Sequence, residues 1–287
     1  MAVIEIQNLS YIYNPGTPSA RVALKDFSIS IEAGKFVGII GHTGSGKSTL
    51  IQHFNGLLKP ANGKVLIDGI DIWEDKKTLK KLRLEVGLVF QYPEYQLFEE
   101  TVEKDIAFGP LNMGLEGEEL NISVEKAAQF AGIDSEMLKK SPFELSGGQK
   151  RRAAIAGVLA MHPKILVLDE PAAGLDPVGR RMILEQIKNY HKEQKNTVIL
   201  VSHSMEDIAK YATEVLVINK GEKLMYAPTN DVFRQSAKLA EIGLALPQIT
   251  RVFHDLIEKG YPLRPDIYTI ADAKNEIVRI VREKNQI

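Results

Sequence analysis

The sequence predicts an α/β chain. A largely parallel sheet is flanked by helices and joined to an antiparallel β layer, with a helical subdomain inserted between strands and a short α-rich C-terminal extension. Three observations carry that prediction. First, several short runs are apolar almost throughout: VGII (Val37–Ile40), VGLVF (Val86–Phe90), ILVL (Ile165–Leu168), VILV (Val198–Val201) and VLVI (Val215–Ile218). Strands covered on both faces read this way. Second, FSISI (Phe27–Ile31) alternates apolar and polar residues, as a strand with one solvated face does. Third, strand signals vanish between about Tyr92 and Met161, where EKAAQFAGI and the run from Gln149 to Met161 are helical in composition.

Taken in order, the chain starts with MAVIEIQNLS, which lacks the basic start and long apolar run of a signal peptide. The pairs Asn62-Gly63 and Asp68-Gly69 are expected to form tight turns in the antiparallel layer. Beyond about Pro228, QITRVFHDLIEKG places Ile249, Val252, Phe253, Leu256 and Ile257 on one helix face that ends at Gly260. Ile270, Ala273, Ile277, Val278 and Val281 repeat the pattern. Both faces are expected to pack on the chain itself.

The 287 residues suit one large domain with an elaboration. A formal net charge of −1 gives no basic excess for nucleic acid, so no nucleic-acid partner is expected. Without cysteine, disulfides, thiolate metal sites and a Cys nucleophile are excluded. No run approaches the length of an apolar membrane span, so any membrane role must come through a partner.

The chemistry begins at GHTGSGKST, from Gly41 through His42, Thr43, Gly44, Ser45, Gly46, Lys47 and Ser48 to Thr49. It matches G-x-x-x-x-G-K-[ST] and follows the buried run VGII, the context this phosphate loop requires. Glycines let successive N–H groups and the next helix N-terminus face phosphate oxygens. Lys47 would reach the β- and γ-phosphates, the Ser48 hydroxyl would hold Mg²⁺, and Thr49 is placed for the α-phosphate. The run ILVLDE ends on Asp169 and Glu170. Asp169 suits the Mg²⁺ shell, and Glu170 suits a general base for a water attacking the γ-phosphate. NKGE (Asn219–Glu222) carries Glu where a guanine reader has Asp, so GTP is set aside in favour of ATP.

A second glycine-rich helix start, LSGGQKRR (Leu145–Arg152), poses a puzzle. Ser146 is a natural N-cap, and Gly147 and Gly148 expose backbone N–H groups, which together make a second anion site. The chain has one lysine-bearing loop, and a helix in a separate lobe does not readily fold back onto its own nucleotide. Two chains arranged head to tail, each offering this start to the other's γ-phosphate, resolve the puzzle.

At this point the sequence resembles the ATP-binding-cassette (ABC) ATPases, whose signature LSGGQ (Leu145–Gln149) stands here unsubstituted. The resemblance covers roughly residues 3 to 230 and implies an α/β P-loop NTPase (RecA-like) core, with a helical subdomain at about 92–161 and a C-terminal extension at 231–287. It implies that Tyr13 stacks on adenine, and that Gln91 touches Mg²⁺ and the attacking water. Asp176, in AGLD, would cross the dimer interface, His203 would contact the γ-phosphate, and Ser146, Gly147, Gly148 and Gln149 would act in trans. Taken singly, each has a plainer reading: packing for Tyr13, a turn for Asp176, a structural role for His203. Ala172 departs from the Thr found in many relatives, a change that backbone geometry should survive.

The segment FQYPEYQLFEETVEKDIAFGPLNMG (Phe90–Gly114) resembles the energy-coupling-factor, or cobalt-type, importers, and within them the second of two paralogous ATPases. That resemblance implies an ATPase peripheral to the cytoplasmic face of the cell membrane, paired with a paralogue or with itself. Its further partners would be a transmembrane coupling protein and, through the complex, a membrane subunit that captures a vitamin or metal ion. Tyr92, Tyr95, Leu97 and Phe98 would form the groove for the coupling helices; the other reading places them in the core of the helical lobe. The extension would help hold the ATPases together. Soluble non-transport cassettes, P-loop kinases and a non-catalytic module are the competing classes. They fit less well, because LSGGQ is intact, all catalytic positions are filled, and there is no coiled-coil insertion, second cassette or zinc-binding cysteine.

Overall fold

The structure, a computed structural model, describes residues 1–284. The strands are β1 (Ala2–Tyr13), β2 (Arg21–Glu32), β3 (Phe36–Ile40), β4 (Asn62–Ile67), β5 (Ile70–Asp71), β6 (Val86–Val89), β7 (Ile165–Asp169), β8 (Thr197–Val201), β9 (Glu214–Asn219) and β10 (Glu222–Pro228). The helices are α1 (Lys47–Phe54), α2 (Lys76–Glu85), α3 (Val102–Asn112), α4 (Gly117–Phe130), α5 (Ser135–Leu138), α6 (Gly147–Leu159), α7 (Pro177–Gln194), α8 (Met205–Tyr211), α9 (Thr229–Arg234), α10 (Ser236–Glu241), α11 (Gln248–Glu258) and α12 (Ile270–Lys284).

One sheet runs β10-β9-β3-β8-β7-β6, parallel except at β10, and the other runs β2-β1-β4-β5 with antiparallel pairs. β3, β7 and β8 are buried at every position, which is why each carries an apolar run of four or more residues, with Asp169 closing β7 and Thr197 opening β8. Alternate residues serve opposite layers. Val37, Ile39, Val167 and Val201 pack toward the antiparallel sheet and α1, whereas Ile40, Leu166, Leu168 and Leu200 pack toward α4, α6 and α7. The carboxyl ends of β3, β6, β7 and β8 therefore share one edge, where open α/β sheets place their ligands.

Asp68 and Gly69, both at positive φ (49° and 78°), make the turn between β4 and β5 as expected. Asn62-Gly63 does not form a turn. It opens β4 beside a register shift against β1, and a Cβ at Gly63 would meet the Gln7 carbonyl oxygen at 2.3 Å. The irregularity is a bulge on β1, where Asn8 (φ 49°) and Leu9 stand opposite Gly63 alone, and the close backbone approach leaves room there only for glycine.

The tail corrects a second expectation. α9 and α10 join the main core through Val232, Phe233 and Leu239, and a separate small cluster of Phe253, Ile267 and Ala273 forms beyond them. Among the described residues of the α12 stripe Ala273 packs on the chain, while the larger members point outward: Ile270 is 78% exposed, Val281 52% and Ile277 47%. The helix instead turns Ala273 and Glu276 inward. Glu276, 1% exposed, accepts from the Arg264 backbone N–H and Nε (both 3.0 Å) and from Arg279 Nη2 (2.7 Å). A buried carboxylate needs such partners, and their placement sets the helix's rotation.

Candidate functional site

β3 delivers the chain into the loop at Gly41, and α1 begins at Lys47. Gly46, the residue before α1, has φ +108°, and a Cβ there would meet the Ala23 carbonyl oxygen at 2.6 Å. At Gly41 a Cβ would lie 2.4 Å from the Ile218 carbonyl oxygen. Neither position tolerates a side chain. The turn Asn219–Glu222 buttresses the loop: Gly221 N–H donates to the Ser45 carbonyl (2.9 Å), and Asn219 Oδ1 lies 3.2 Å from His42 Nε2.

Lys47, 6% exposed, donates from Nζ to the carbonyl oxygens of Gly41 (2.8 Å) and His42 (3.0 Å). Burial pushes its pKa down, against the opposing charges of Glu170 and Asp169. Buried Ser45 carries an Oγ with no hydrogen-bond partner. A loop whose Gly41 and Gly46 admit no Cβ and whose buried Ser45 hydroxyl is unpaired among the described residues fits an anion wrapped by backbone.

The other strands bring the remaining groups to the same edge. Ser48 opens the first turn of α1 beside Asp169, at the end of β7, and burial raises the Asp169 pKa against the opposing influence of the Ser48 hydroxyl and the Lys47 charge. Hydroxyl and carboxylate oxygens are the donors Mg²⁺ prefers. Glu170 follows in a left-handed conformation (φ 50°) and donates its N–H to the Val201 carbonyl on β8 (3.0 Å). Such a conformation costs roughly 1–3 kcal/mol for a non-glycine residue and persists only where neighbours impose it. His203 follows β8, with Nε2 2.7 Å from Glu170 Oε1. Gln91 follows β6 and is exposed.

Tyr13 ends β1, 37% exposed, its hydroxyl 3.2 Å from Thr49 Oγ1. Tyr13, Thr49, Lys47, Ser48 and Gly44 line one cavity of about 160 Å³ together with Arg21 and Ala23, neither of which the motifs indicated. Arg21 stands opposite Tyr13 in the β1–β2 register and donates to the Gly44 carbonyl (3.3 Å). The hairpin register is the signal that reveals it.

The second glycine-rich start lies elsewhere. Ser146 caps α6 in a reciprocal box: its N–H donates to Gln149 Oε1 (2.9 Å), and Gln149 N–H donates to its Oγ (3.4 Å). A Cβ added at Gly147 or Gly148 would meet nothing within 4 Å. No residue of this start lines the phosphate-loop cavity. Asp176 caps α7, accepting from the N–H groups of Val178 (2.8 Å) and Gly179 (2.9 Å). Tyr92, Tyr95 and Phe98 are exposed, and Leu97 is half-buried.

Residues 24–173 match the family described as ABC transporter. The energy-coupling factor transporter ATP-binding protein EcfA2 of Caldanaerobacter subterraneus subsp. tengcongensis is 58% identical, over 97% of this chain and 98% of its own length. The protein of the same description from Clostridium perfringens is 53% identical, over 98% and 99%. The solved structure of cbiO1 from Clostridium perfringens, described as part of the ABC transporter complex cbiONQ, matches with a TM-score of 0.75 at 38% identity, covering 88% of this chain and 99% of that one. A dimeric post-hydrolysis state of the ATP-binding cassette MJ0796, bound to ADP and Pi, matches at 0.71 with 29% identity, covering 79% and 98%. Phosphate loop, signature and relatives of nearly full length agree, and the chain belongs to the ABC transporter ATPases, in their energy-coupling-factor branch.

Proposed function

We propose that this chain powers a bacterial energy-coupling-factor importer as one of two paired ATPases, each supplying half of two reaction centres. ATP would lie with adenine on Tyr13 and its phosphates along Gly41–Thr49, where Lys47 meets the β- and γ-phosphates. Ser48 and Asp169, with Gln91, would hold Mg²⁺, which would offset charge on those phosphates. Glu170 takes the proton of the attacking water. His203, now engaged with Glu170, turns its imidazole to the γ-phosphate.

The observation that carries the pairing is the open space at Gly147 and Gly148. Among the described residues nothing requires glycine there, whereas a partner's γ-phosphate approaching the α6 N-terminus does. Ser146, Gly147, Gly148, Gln149 and Asp176 then act on the nucleotide of the partner ATPase, whether a second copy or a paralogue. The outward stripe of α12 would help hold the pair together.

Among the described residues no helix is long and apolar enough to cross a membrane. We assign the membrane contact to a groove of about 310 Å³ whose lining includes Leu84, Leu97, Phe98, Phe108 and Met161. A transmembrane coupling protein would dock there, and through it a subunit that captures a vitamin or metal ion. The chain would then sit on the cytoplasmic face of the cell membrane.

The test is complementation in the assembled complex. With Ser146→Arg in one ATPase and the loop lysine removed from the other, one composite site remains intact. Placing both changes in the same ATPase breaks both sites. Activity in the first arrangement and none in the second is expected; the reverse, or no difference, overturns the reading.

A further inference from the structure

Arg151 lies on α6, five residues past the Ser146 cap, yet it is only 3% exposed. Its guanidinium joins two segments far apart in sequence. On one side Nε and Nη2 donate to Glu94 Oε2 (2.9 Å) and Oε1 (2.6 Å), a two-pronged pair with the turn that follows Gln91. On the other, Nη1 donates to the carbonyl oxygens of Pro171 (3.5 Å) and Ala173, in the loop that follows Glu170. The Tyr92 ring sits 5.6 Å from the guanidinium carbon.

Both segments hold a non-glycine residue in the left-handed region, Tyr92 at φ 57° and Glu170 at φ 50°. Glu170 is fixed on one side by its N–H on Val201 and on the other by its carbonyl, which accepts from Ala173 N–H (3.0 Å). Ala173 thus closes the turn begun at Glu170 and offers its own carbonyl to Arg151. Burial works against the charged form of Glu94, but the Arg151 hydrogen bonds and charge more than offset it and hold its pKa below the usual carboxylate value. Removing one member of a buried pair is costly, while an apolar replacement of the whole pair is often tolerated, so packing alone does not explain why charges stand here.

We propose that Arg151 is a positioning residue for Glu170, clamping the Glu170–Gly174 loop to the Gln91–Glu94 turn so that the turnover step, and not nucleotide binding, depends on it. The inference rests on Glu170 as the general base. A lysine offers one ammonium in place of the fork and cannot serve Glu94 and two carbonyls together.

The experiment compares Arg151→Lys, Glu170→Gln and the double variant in the assembled complex, reading the melting temperature, the Kd for ATP and kcat. Arg151→Lys should fold, bind ATP within about twofold of the parent, and lose about 10- to 100-fold in kcat, the scale of a misplaced catalytic group. Because Arg151 acts through Glu170, the double variant should turn over no more slowly than Glu170→Gln alone. Parent-like kcat in Arg151→Lys alongside an inactive Glu170→Gln overturns the inference alone. Multiplying losses, or ATP binding lost in step with kcat, also overturn it. Full turnover by Glu170→Gln overturns the base assignment and the inference with it.

Discussion

Gly148→Ala separates the two glycine-rich helix starts most cleanly, because it should stabilise the chain while stopping turnover. Gly148 is in the first turn of α6, and an added Cβ meets nothing within 4 Å. Alanine at such a compatible position reduces the freedom of the unfolded chain and is worth about 0.4–1 kcal/mol. In a domain of this size that raises Tm by roughly 1–4 °C. The same methyl group stands where a partner's γ-phosphate must approach the backbone N–H, and displacing reacting groups by about 1 Å costs on the order of 100-fold in rate. Differential scanning calorimetry of the chain and a phosphate-release assay of the assembled complex read the two effects. A variant that hydrolyses ATP at the parent rate would refute the contact. A lowered Tm would refute the open geometry of the helix start.

Three further outcomes are expected. Glu170→Gln should bind ATP normally, lower turnover by about 10²–10⁴-fold and accumulate the nucleotide-bound pair, as read by bound ATP and by hydrodynamic size. Arg21→Ala should weaken ATP and ADP binding several-fold, with melting temperature and kcat at saturating ATP unchanged, because Arg21 lines the nucleotide cavity beside Gly44; isothermal titration checks this. The Arg279 hydrogen bonds, opposed by burial and aided by the Arg264 backbone, hold Glu276 at about 2, below the usual carboxylate value of 4.5. A depressed pKa stabilises the folded form above 4.5, and that contribution is lost as pH falls through about 2. Hydrogen-exchange protection around Phe253 and Ile267, taken relative to the intrinsic rate at each pH, should therefore fall on acidification across that window, and Glu276→Gln should remove the dependence.

What could be read from the sequence followed from how locally each feature is encoded. β3, β7 and β8 announce themselves because burial on both faces leaves polar residues only at their ends, Asp169 closing β7 and Thr197 opening β8. The phosphate loop and the Ser146 cap are contiguous, so spacing alone exposes them. Arg21 and Arg151 were hidden because their meaning depends on partners supplied by folding: the Tyr13–Arg21 register for one, Glu94 and the Ala173 carbonyl for the other. The rotation of α12 depends on folding in the same way. A helical wheel gives weight to Ile277 and Val281, but the Arg264–Glu276 pair, twelve residues apart, decides which face turns inward. Asn62-Gly63 carries turn chemistry, yet it lies in β4 opposite the β1 bulge at Asn8–Leu9.

The most direct test of paired half-sites uses the absence of cysteine from this chain, which contributes no thiol beyond the one introduced. Ser146→Cys in one ATPase and a cysteine at the loop's Thr43 position in the other, both in a Glu170→Gln-type background, are treated with a short bis-maleimide with and without ATP. The account predicts a cross-link between chains that forms when ATP is present during the reaction and does not form in a sample from which ATP was removed beforehand. A cross-link formed within one chain carrying both cysteines, or no ATP-dependent product in a complex that still binds ATP, would contradict it.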